Sequence, residues 1–247
     1  MGVNIIYNED CLETMKGMDD NYIDLTITSP PYDSLRVYNG YAFDFESTSK
    51  ELYRVTKEGG VLVWIVGDET IKGSETGTSF RQALGLKEVG FNLHDTMIWR
   101  KTNPMPKFKH KRYSCVFEYM FILSKGQPKT FNPLMQPNKR AGELYDYTAK
   151  LRTTGKVRQK KTFNINSEKY RDNIWEIAVA RNDTDHPAVF PEALVSDHIL
   201  SWSNEGDIVY DPFIGSGTTA IAAKKLGRNY IGSEISQEYC AIAVGRI

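Results

Sequence analysis

The apolar run VLVWIV, from Val61 to Val66, constrains the fold more than any other stretch of the sequence. A strand with apolar side chains at every position is typical of a parallel sheet that is covered on both faces. Other strand-like segments lie before and after it, and amphipathic helical patterns separate them. This alternation predicts an α/β fold with a doubly wound, mostly parallel sheet.

The periodicity also predicts where the main elements lie. We expect strands near 3–8, 22–29, 61–67, 93–99, 115–123, 207–212 and 228–235, and helices near 11–18, 46–58, 79–89, 192–203 and 218–227, with a last helix after 235. The pair Gly59-Gly60 is expected to cap the helix at 46–58. Between 127 and about 180 the periodicity is lost, which divides the chain into 1–126, an insert at 127–180, and 181–247.

Charge is distributed unevenly along a chain whose formal net charge is zero. From Arg100 to Arg171 there are 18 Lys and Arg but four acids, a local charge of +14, so the remainder carries −14. A solvated charged face is the ordinary explanation of such a tract, and a phosphate-binding surface is the alternative.

Several classes of protein are disfavoured. The longest apolar run is too short to span a membrane, and the residues after Met1 form no signal pattern, so a cytoplasmic protein is expected. The three cysteines are odd in number and widely spaced, which argues against a disulfide framework. Together with four scattered histidines they offer no metal-ligand spacing, so no metal site is expected.

The first informative motif is TSPPY, residues 28–32, at the end of a predicted strand. Neither proline nitrogen can donate a hydrogen bond to a sheet, so the strand must end there in a rigid, extended turn. An extended turn without chemistry is one interpretation, and a fixed carbonyl that accepts a ligand's hydrogens is the other.

The second motif, DIVYDPFIGSG at 207–217, delivers a strand into a glycine-rich turn and a helix that starts at Thr218. Glycines at such a turn let the backbone approach a ligand, and the helix offers unpaired N–H groups. Glu234 ends the next strand, where a doubly wound fold places an acid for ribose hydroxyls. Asp10 reaches the same edge and is expected to accept from the amine of adenine. These residues predict a nucleoside pocket.

Together the two motifs, with GRNYIGSEI downstream, closely resemble the S-adenosylmethionine-dependent DNA amino-methyltransferases of the β class. In that class the catalytic tetrapeptide precedes the cofactor loop and the target-recognition region lies between them, as in this chain. The resemblance implies a Rossmann-like methyltransferase sheet with permuted motif order. It makes 1–126 the catalytic part, 127–180 the target-recognition insert and 181–247 the cofactor-binding part. The segment HPAVFPEAL, which holds Phe190, is similar to one that closes over the methionine end. The implied cofactor-binding residues are Asp10, Phe190, Asp211, Phe213, Gly215, Ser216, Gly217, Thr218 and Glu234.

The chemistry of amine methylation explains the catalytic residues Ser29, Pro30, Pro31 and Tyr32. A duplex hides the amine of a base, so the nucleotide must be flipped out, and its nitrogen lone pair is delocalised into the ring. The Ser29 hydroxyl and the Pro30 carbonyl would accept the hydrogens of the amine, while Tyr32 would stack on the base. No cysteine is expected to act as a nucleophile, since Cys11 and Cys115 lie in apolar patterns typical of buried thiols.

In the family, serine at the first motif position usually accompanies N4-methylation of cytosine, whereas aspartate accompanies N6-methylation of adenine. Ser29 therefore favours cytosine, with adenine as the alternative. Beside a base-flipping site, phosphate contact becomes the favoured role of the basic tract. The residues predicted to bind DNA are Lys107, Lys109, Lys111, Arg112, Arg152, Lys156, Arg158, Lys160 and Lys161.

The predicted partners are double-stranded DNA and, from the resemblance, a second copy of the chain and a cognate restriction endonuclease. Two other classes of function remain open. One is a methyltransferase of the same fold that acts on RNA or a small molecule. The other is a catalytically inactive DNA-binding module that retains the cofactor pocket.

Overall fold

The computed structural model describes residues 1–31, 43–104, 111–149, 159–180 and 191–247. Its strands are β1 (Ile5–Tyr7), β2 (Ile23–Thr28), β3 (Thr56–Val66), β4 (Thr70–Ile71), β5 (Ser74–Glu75), β6 (Asn92–Lys101), β7 (Phe117–Ser124), β8 (Met135–Pro137), β9 (Leu144–Ala149), β10 (Gln159–Asn164), β11 (Glu168–Tyr170), β12 (Ile174–Ile177), β13 (Ile208–Asp211) and β14 (Asn229–Ser233). Its helices are α1 (Cys11–Lys16), α2 (Phe45–Val55), α3 (Thr78–Glu88), α4 (Glu192–Trp202), α5 (Thr218–Lys225) and α6 (Gln237–Arg246).

Within the described residues, eight strands form the central sheet, in the order β1-β14-β13-β2-β3-β7-β6-β12. Only β7 pairs antiparallel to its two neighbours, and the other pairs in this sheet are parallel. The predicted α/β class and the mostly parallel sheet are thereby confirmed. Strand β12 was not predicted, because four residues are too few to show a periodicity.

The middle of the sheet is buried on both faces, as the run VLVWIV predicts. All six side chains from Val61 to Val66 are at most 1% exposed. Leu62, Trp64 and Val66 pack into one apolar cluster with residues of α1, α2 and α3. The alternate residues of β3 point to the opposite face of the sheet, and α4 contacts the neighbouring strand β2.

The junction between α2 and β3 differs from the prediction. The helix ends at Val55, three residues before the predicted end, and Gly59-Gly60 lies inside β3 rather than capping the helix. Thr56 ends the helix instead, because its backbone is extended and its hydroxyl donates 2.6 Å to the carbonyl of Leu52. Gly59, with φ of +81°, lies where the pairing between β2 and β3 changes register.

The chain divides into two compact units. The larger contains 1–132 and 173–247, and the smaller spans Pro133–Asp172. Within the smaller unit, β8 pairs with β11 and β9 pairs with β10, both antiparallel. This unit is shorter than the insert predicted at 127–180, and its role in target recognition stays a prediction. In the part of the chain that the structure describes, no helix is long and apolar enough to cross a membrane.

Candidate active site

The two sequence motifs meet where the winding of the sheet changes direction. Strands β2 and β13 are neighbours, with Thr26 opposite Tyr210. From β13 the chain continues to β14, toward one edge of the sheet, whereas from β2 it continues to β3, toward the other. The carboxyl ends of β2 and β13 therefore flank a topological switch point, where doubly wound sheets bind ligands.

The motif after β2 starts in the protein interior. Thr28, the last residue of the strand, donates a 2.7 Å hydrogen bond from its hydroxyl to Oδ1 of Asp211. Ser29 is 7% exposed, Pro30 is buried and Pro31 is half-buried. The chain thus emerges at the switch point with the serine and the first proline held against the core. Tyr32, the predicted stacking residue, lies outside the described residues.

The glycine turn after β13 needs glycine for two separate reasons. Gly215 and Gly217 have φ of +53° and +87°, values that residues other than glycine rarely adopt. A Cβ at Gly217 would also lie 2.9 Å from Cβ of Ala243 in α6. Phe213, which opens the turn, makes an edge-to-face contact with Phe43 at 5.2 Å between ring centroids.

Glu234 follows β14, and its side chain accepts a hydrogen bond from the backbone of the glycine turn. One carboxylate oxygen, Oε2, accepts a 3.0 Å bond from the N–H of Gly215, and the other accepts 2.8 Å from the N–H of Ser236. The residue is 7% exposed. These two backbone donors fix the orientation of the Glu234 carboxylate beside the glycine turn.

Asp211 is a predicted site residue with an ionisable side chain that is almost fully buried, at 1% exposed. Its carboxylate accepts hydrogen bonds from Thr28, from the N–H of Phe213 at 3.1 Å and from the hydroxyl of Thr219 at 2.7 Å. Burial raises the pKa of Asp211 to about 6, and the charge of Glu234 acts in the same direction, whereas the three hydrogen bonds oppose the shift.

Asp10 lies after β1, which pairs with β14 at the same side of the switch point. It caps helix α1, since its Oδ1 accepts a 2.7 Å bond from the N–H of Leu12. The neighbouring Asn8 donates to the carbonyl of Glu234 at 2.8 Å. The bond from Asn8 holds the ends of β1 and β14 beside each other.

Sequence reasoning missed one residue that supports the turn. Arg246 in α6 donates from Nη1 to the carbonyl of Ser216 at 2.5 Å and to the hydroxyl of Ser216 at 3.0 Å. Thr218 and Ser216 are themselves buried in the turn. No motif links Arg246 to the turn, because only the packing of α6 brings them together.

The residues predicted to bind DNA fall into three groups. Lys111 and Lys161 are exposed, and Lys160 is a residue of strand β10. Arg112 instead binds the hairpin of β4 and β5, donating to the hydroxyl of Thr70 at 2.7 Å and to the carbonyl of Gly73 at 2.9 Å. The others lie outside the described residues: Lys107, Lys109, Arg152, Lys156 and Arg158, as does the cofactor residue Phe190.

Within the smaller unit, one face of the β9–β10 hairpin is aromatic and basic. Tyr145 lies opposite Phe163, and Tyr147 lies opposite Lys161, so all four share a face. The three rings are 40–50% exposed, and the guanidinium of Arg140 lies 5.9 Å from the ring centre of Tyr145. We call these five residues the hairpin face.

Two of the cysteines differ in their exposure. Cys11 is buried as expected, and burial raises the pKa of its thiol to about 12. The prediction for Cys115 is wrong: it is exposed, because it precedes the first residue of β7 rather than lying within the strand. Among the described residues, no three His, Cys, Asp or Glu side chains are grouped so as to hold a metal ion.

The fold and the switch point together define the class of protein, a doubly wound α/β protein with a candidate ligand site at the carboxyl ends of β2 and β13. A sequence profile of the DNA methylase family, the N6/N4 amino-methyltransferases, matches residues 23–245. The orphan methyltransferase M.BamHII of Bacillus amyloliquefaciens is 54% identical over 94% of this chain and 91% of its own length. The Type II methyltransferase M.SmaI of Serratia marcescens is 28% identical over 96% of this chain and 88% of its own length. This chain belongs to the DNA methylase family, and it is an S-adenosylmethionine-dependent DNA amino-methyltransferase, as the motifs predicted.

Solved structures agree with this assignment. The M1.HpyAVI–SAM complex matches with a TM-score of 0.64 and 27% identity over 98% of both chains. The PvuII DNA methyltransferase, described as cytosine-N4-specific, matches with a TM-score of 0.72 and 22% identity over 98% of this chain and 85% of its own. At that identity the second match supports the fold alone.

Proposed function

We propose that the protein methylates the exocyclic amine of a flipped DNA base in the crevice between the ends of β2 and β13. The observation that carries the proposal is the hydrogen bond from Thr28 to Asp211, which joins the segment before Ser29 directly to the strand before the glycine turn. A base held at Ser29 and a cofactor held at the turn would therefore be neighbours.

The residues around the turn fit S-adenosylmethionine. The positive φ angles of Gly215 and Gly217 open the backbone for a close approach, and α5 begins directly after them. Glu234 lies where a doubly wound sheet holds ribose hydroxyls, and Asp10 lies at the end of a strand beside it. When bound, the cofactor supplies an electrophilic methyl group on a sulfonium.

Catalysis by this chain's own residues then consists of orientation and fixed polarity. The Ser29 hydroxyl and the Pro30 carbonyl accept the hydrogens of the amine and turn its nitrogen lone pair toward the methyl group. The two prolines keep that carbonyl in place, since their φ angles are locked. Tyr32 is assigned the stacking contact with the base, which is worth about 1–3 kcal/mol.

Cytosine N4 is the favoured target, because serine opens the tetrapeptide at position 29. Adenine N6 is the alternative, since both amines present the same geometric problem. Nucleoside mass spectrometry of DNA from cells that express the protein decides between them. We expect 4-methylcytosine; 6-methyladenine would favour the alternative, and unmodified DNA would favour the inactive DNA-binding module. Ser29→Ala expressed in parallel is the control, and its DNA should lose most of the modification.

The DNA contacts are assigned to the basic tract and to the hairpin face. Residues 133–172 contain ten Lys and Arg but four acids, a net charge of +6. Exposed aromatic rings beside cations are the arrangement that binds bases and phosphates together. The Type II name of M.SmaI supports site-specific modification of DNA by this chain as well. A homodimer and a cognate endonuclease stay predictions.

A further inference from the structure

The buried carboxylate of Asp211 connects three segments that the sequence keeps apart. Oδ1 accepts from Thr28 at the end of β2 and from the N–H of Phe213 in the glycine turn. Oδ2 accepts from Thr219 in the first turn of α5. Asp211 is 1% exposed, so its three hydrogen bonds lie in the protein interior.

A charge at this position is expensive for the fold. All three donors are neutral, and burial of a carboxylate with neutral partners costs more than burial of a neutral amide. Hydrogen bonds to an ionised acceptor are, however, shorter and roughly twice as strong as those between neutral groups. A carboxylate at position 211 therefore lowers the stability of the fold but makes stronger hydrogen bonds between the three segments than an amide would.

The connection spans the two halves of the proposed site. Thr28 directly precedes Ser29 and Pro30, which we assign to the amine, and Phe213 begins the turn that we assign to the cofactor. Methyl transfer depends on the distance and the alignment between these two ligands. A misplacement of about 1 Å can slow such a reaction by about 100-fold.

We propose that Asp211 is a positioning residue that, through Thr28, sets the distance between the amine-binding loop and the cofactor turn. This inference rests on the proposed function, because it assigns a role in the same reaction. It differs from a cofactor-binding role for Asp211: the carboxylate acts through protein groups and changes the rate of transfer rather than the affinity for either ligand.

Thr28→Val tests the proposal, since it removes the hydroxyl and keeps the shape of the side chain. We expect the single-turnover rate of methyl transfer from tritiated S-adenosylmethionine to DNA to fall at least tenfold. The dissociation constants of cofactor and DNA should stay within about twofold of the wild type. Thr28→Ser restores the hydroxyl and should recover most of the rate.

Thr26→Val is the matched control. Thr26 lies two residues earlier in β2 and is also fully buried, and its hydroxyl has no hydrogen-bond partner among the described residues. This variant makes the same chemical change in the same strand without breaking the connection to Asp211. Its transfer rate should equal that of the wild type.

The outcomes distinguish a failure of the positioning role from a failure of the proposed function. If Thr28→Val transfers methyl groups at the wild-type rate, or loses affinity for cofactor in proportion to its loss of rate, the positioning role is wrong and the proposed function stands. If the wild type methylates no amine in DNA, the proposed function is wrong and the positioning role falls with it. Should Thr28→Val not fold, Thr28→Ala takes its place, since it also removes the hydroxyl that donates to Asp211, with the same expected loss of rate and the same opposing outcomes.

Discussion

At the scale of single residues, the carboxyl of Asp211 makes stability depend on pH. Burial raises its pKa to about 6, whereas Asp in an unfolded chain titrates near about 4. The folded state therefore binds the proton more tightly than the unfolded state. The stabilisation from this group is complete below about pH 4 and is lost as the pH rises through about 6.

Asp211→Asn removes this titration. Between roughly pH 4 and pH 7, the wild type should lose on the order of 2–3 kcal/mol of unfolding free energy relative to this variant. Urea unfolding at a series of pH values measures the difference. Asp19→Asn, which changes an exposed carboxylate, is the control and should follow the wild-type curve. Parallel curves for the wild type and Asp211→Asn would contradict the shifted pKa.

The glycine turn offers a second test at this scale, in Gly217→Ala. Both Gly217 and Gly73 have positive φ, but a Cβ at Gly217 meets Ala243 at 2.9 Å, whereas a Cβ at Gly73 would have no atom of the described part of the chain within 4 Å. Each alanine bears the backbone strain, about 1–2 kcal/mol. Gly217→Ala should cost about 1–3 kcal/mol more, because it also overpacks the turn against α6. Urea unfolding compares the two variants, and equal losses would mean that α6 does not restrict the turn.

At the scale of elements, the alternation of side chains along β9 gives the β9–β10 hairpin two different faces. Tyr145 and Tyr147 point to the hairpin face, while Leu144 points to the opposite face and is also exposed. Apolar side chains on both faces are therefore exposed, but those of the hairpin face are aromatic rings, with Arg140 beside Tyr145 and Lys161 opposite Tyr147.

Tyr147→Ala should weaken binding to duplex DNA about fivefold or more, since a stacking contact is worth about 1–3 kcal/mol. Fluorescence anisotropy with labelled duplex measures the affinity. Leu144→Ala removes an exposed apolar side chain from the other face of the same strand and should leave the affinity unchanged. Equal effects of the two substitutions would assign the loss to the stability of the hairpin and not to contact with DNA.

At the scale of the whole molecule, a neutral chain is divided into a basic and an acidic part. Residues 133–172 carry +6, and the remainder, with 21 Lys and Arg and 27 acids, carries −6. Binding to a polyanion releases counterions according to the cations that contact it, not according to the net charge of the protein. DNA affinity should therefore fall with salt although the chain is neutral overall.

Lys161→Glu tests where the contacting cations lie. It should weaken DNA binding and make the plot of log affinity against log salt concentration shallower by about 0.9 or more. Lys87→Glu makes the same change of charge on an exposed residue of α3, outside the basic tract. It should leave the slope as in the wild type. An unaltered slope for Lys161→Glu would indicate that the basic tract is a solvated charged surface that does not contact DNA.

Much of this fold could be predicted because its signals are local. Apolar residues at every position from Val61 to Val66 require a strand covered on both faces, and the turn signals at Pro30 and Gly215 mark where two strands end. Order along the chain and motif identity then indicated one crevice. Local signals failed at Gly59-Gly60, where a glycine pair typical of a helix cap lies inside a strand, and at Cys115, which an apolar pattern placed in the interior.

The sequence by itself determined the class of sheet, the two motifs and the family, because each depends on residues that are close together in the chain. Only the tertiary structure decided what holds the motifs: Thr28 and Asp211 are 183 positions apart, and Ser216 and Arg246 are 30 apart. Such partners are chosen by strand order and helix packing. The hydrogen bond of a buried group goes to whichever donor the assembled fold brings within reach, and no local pattern records that choice.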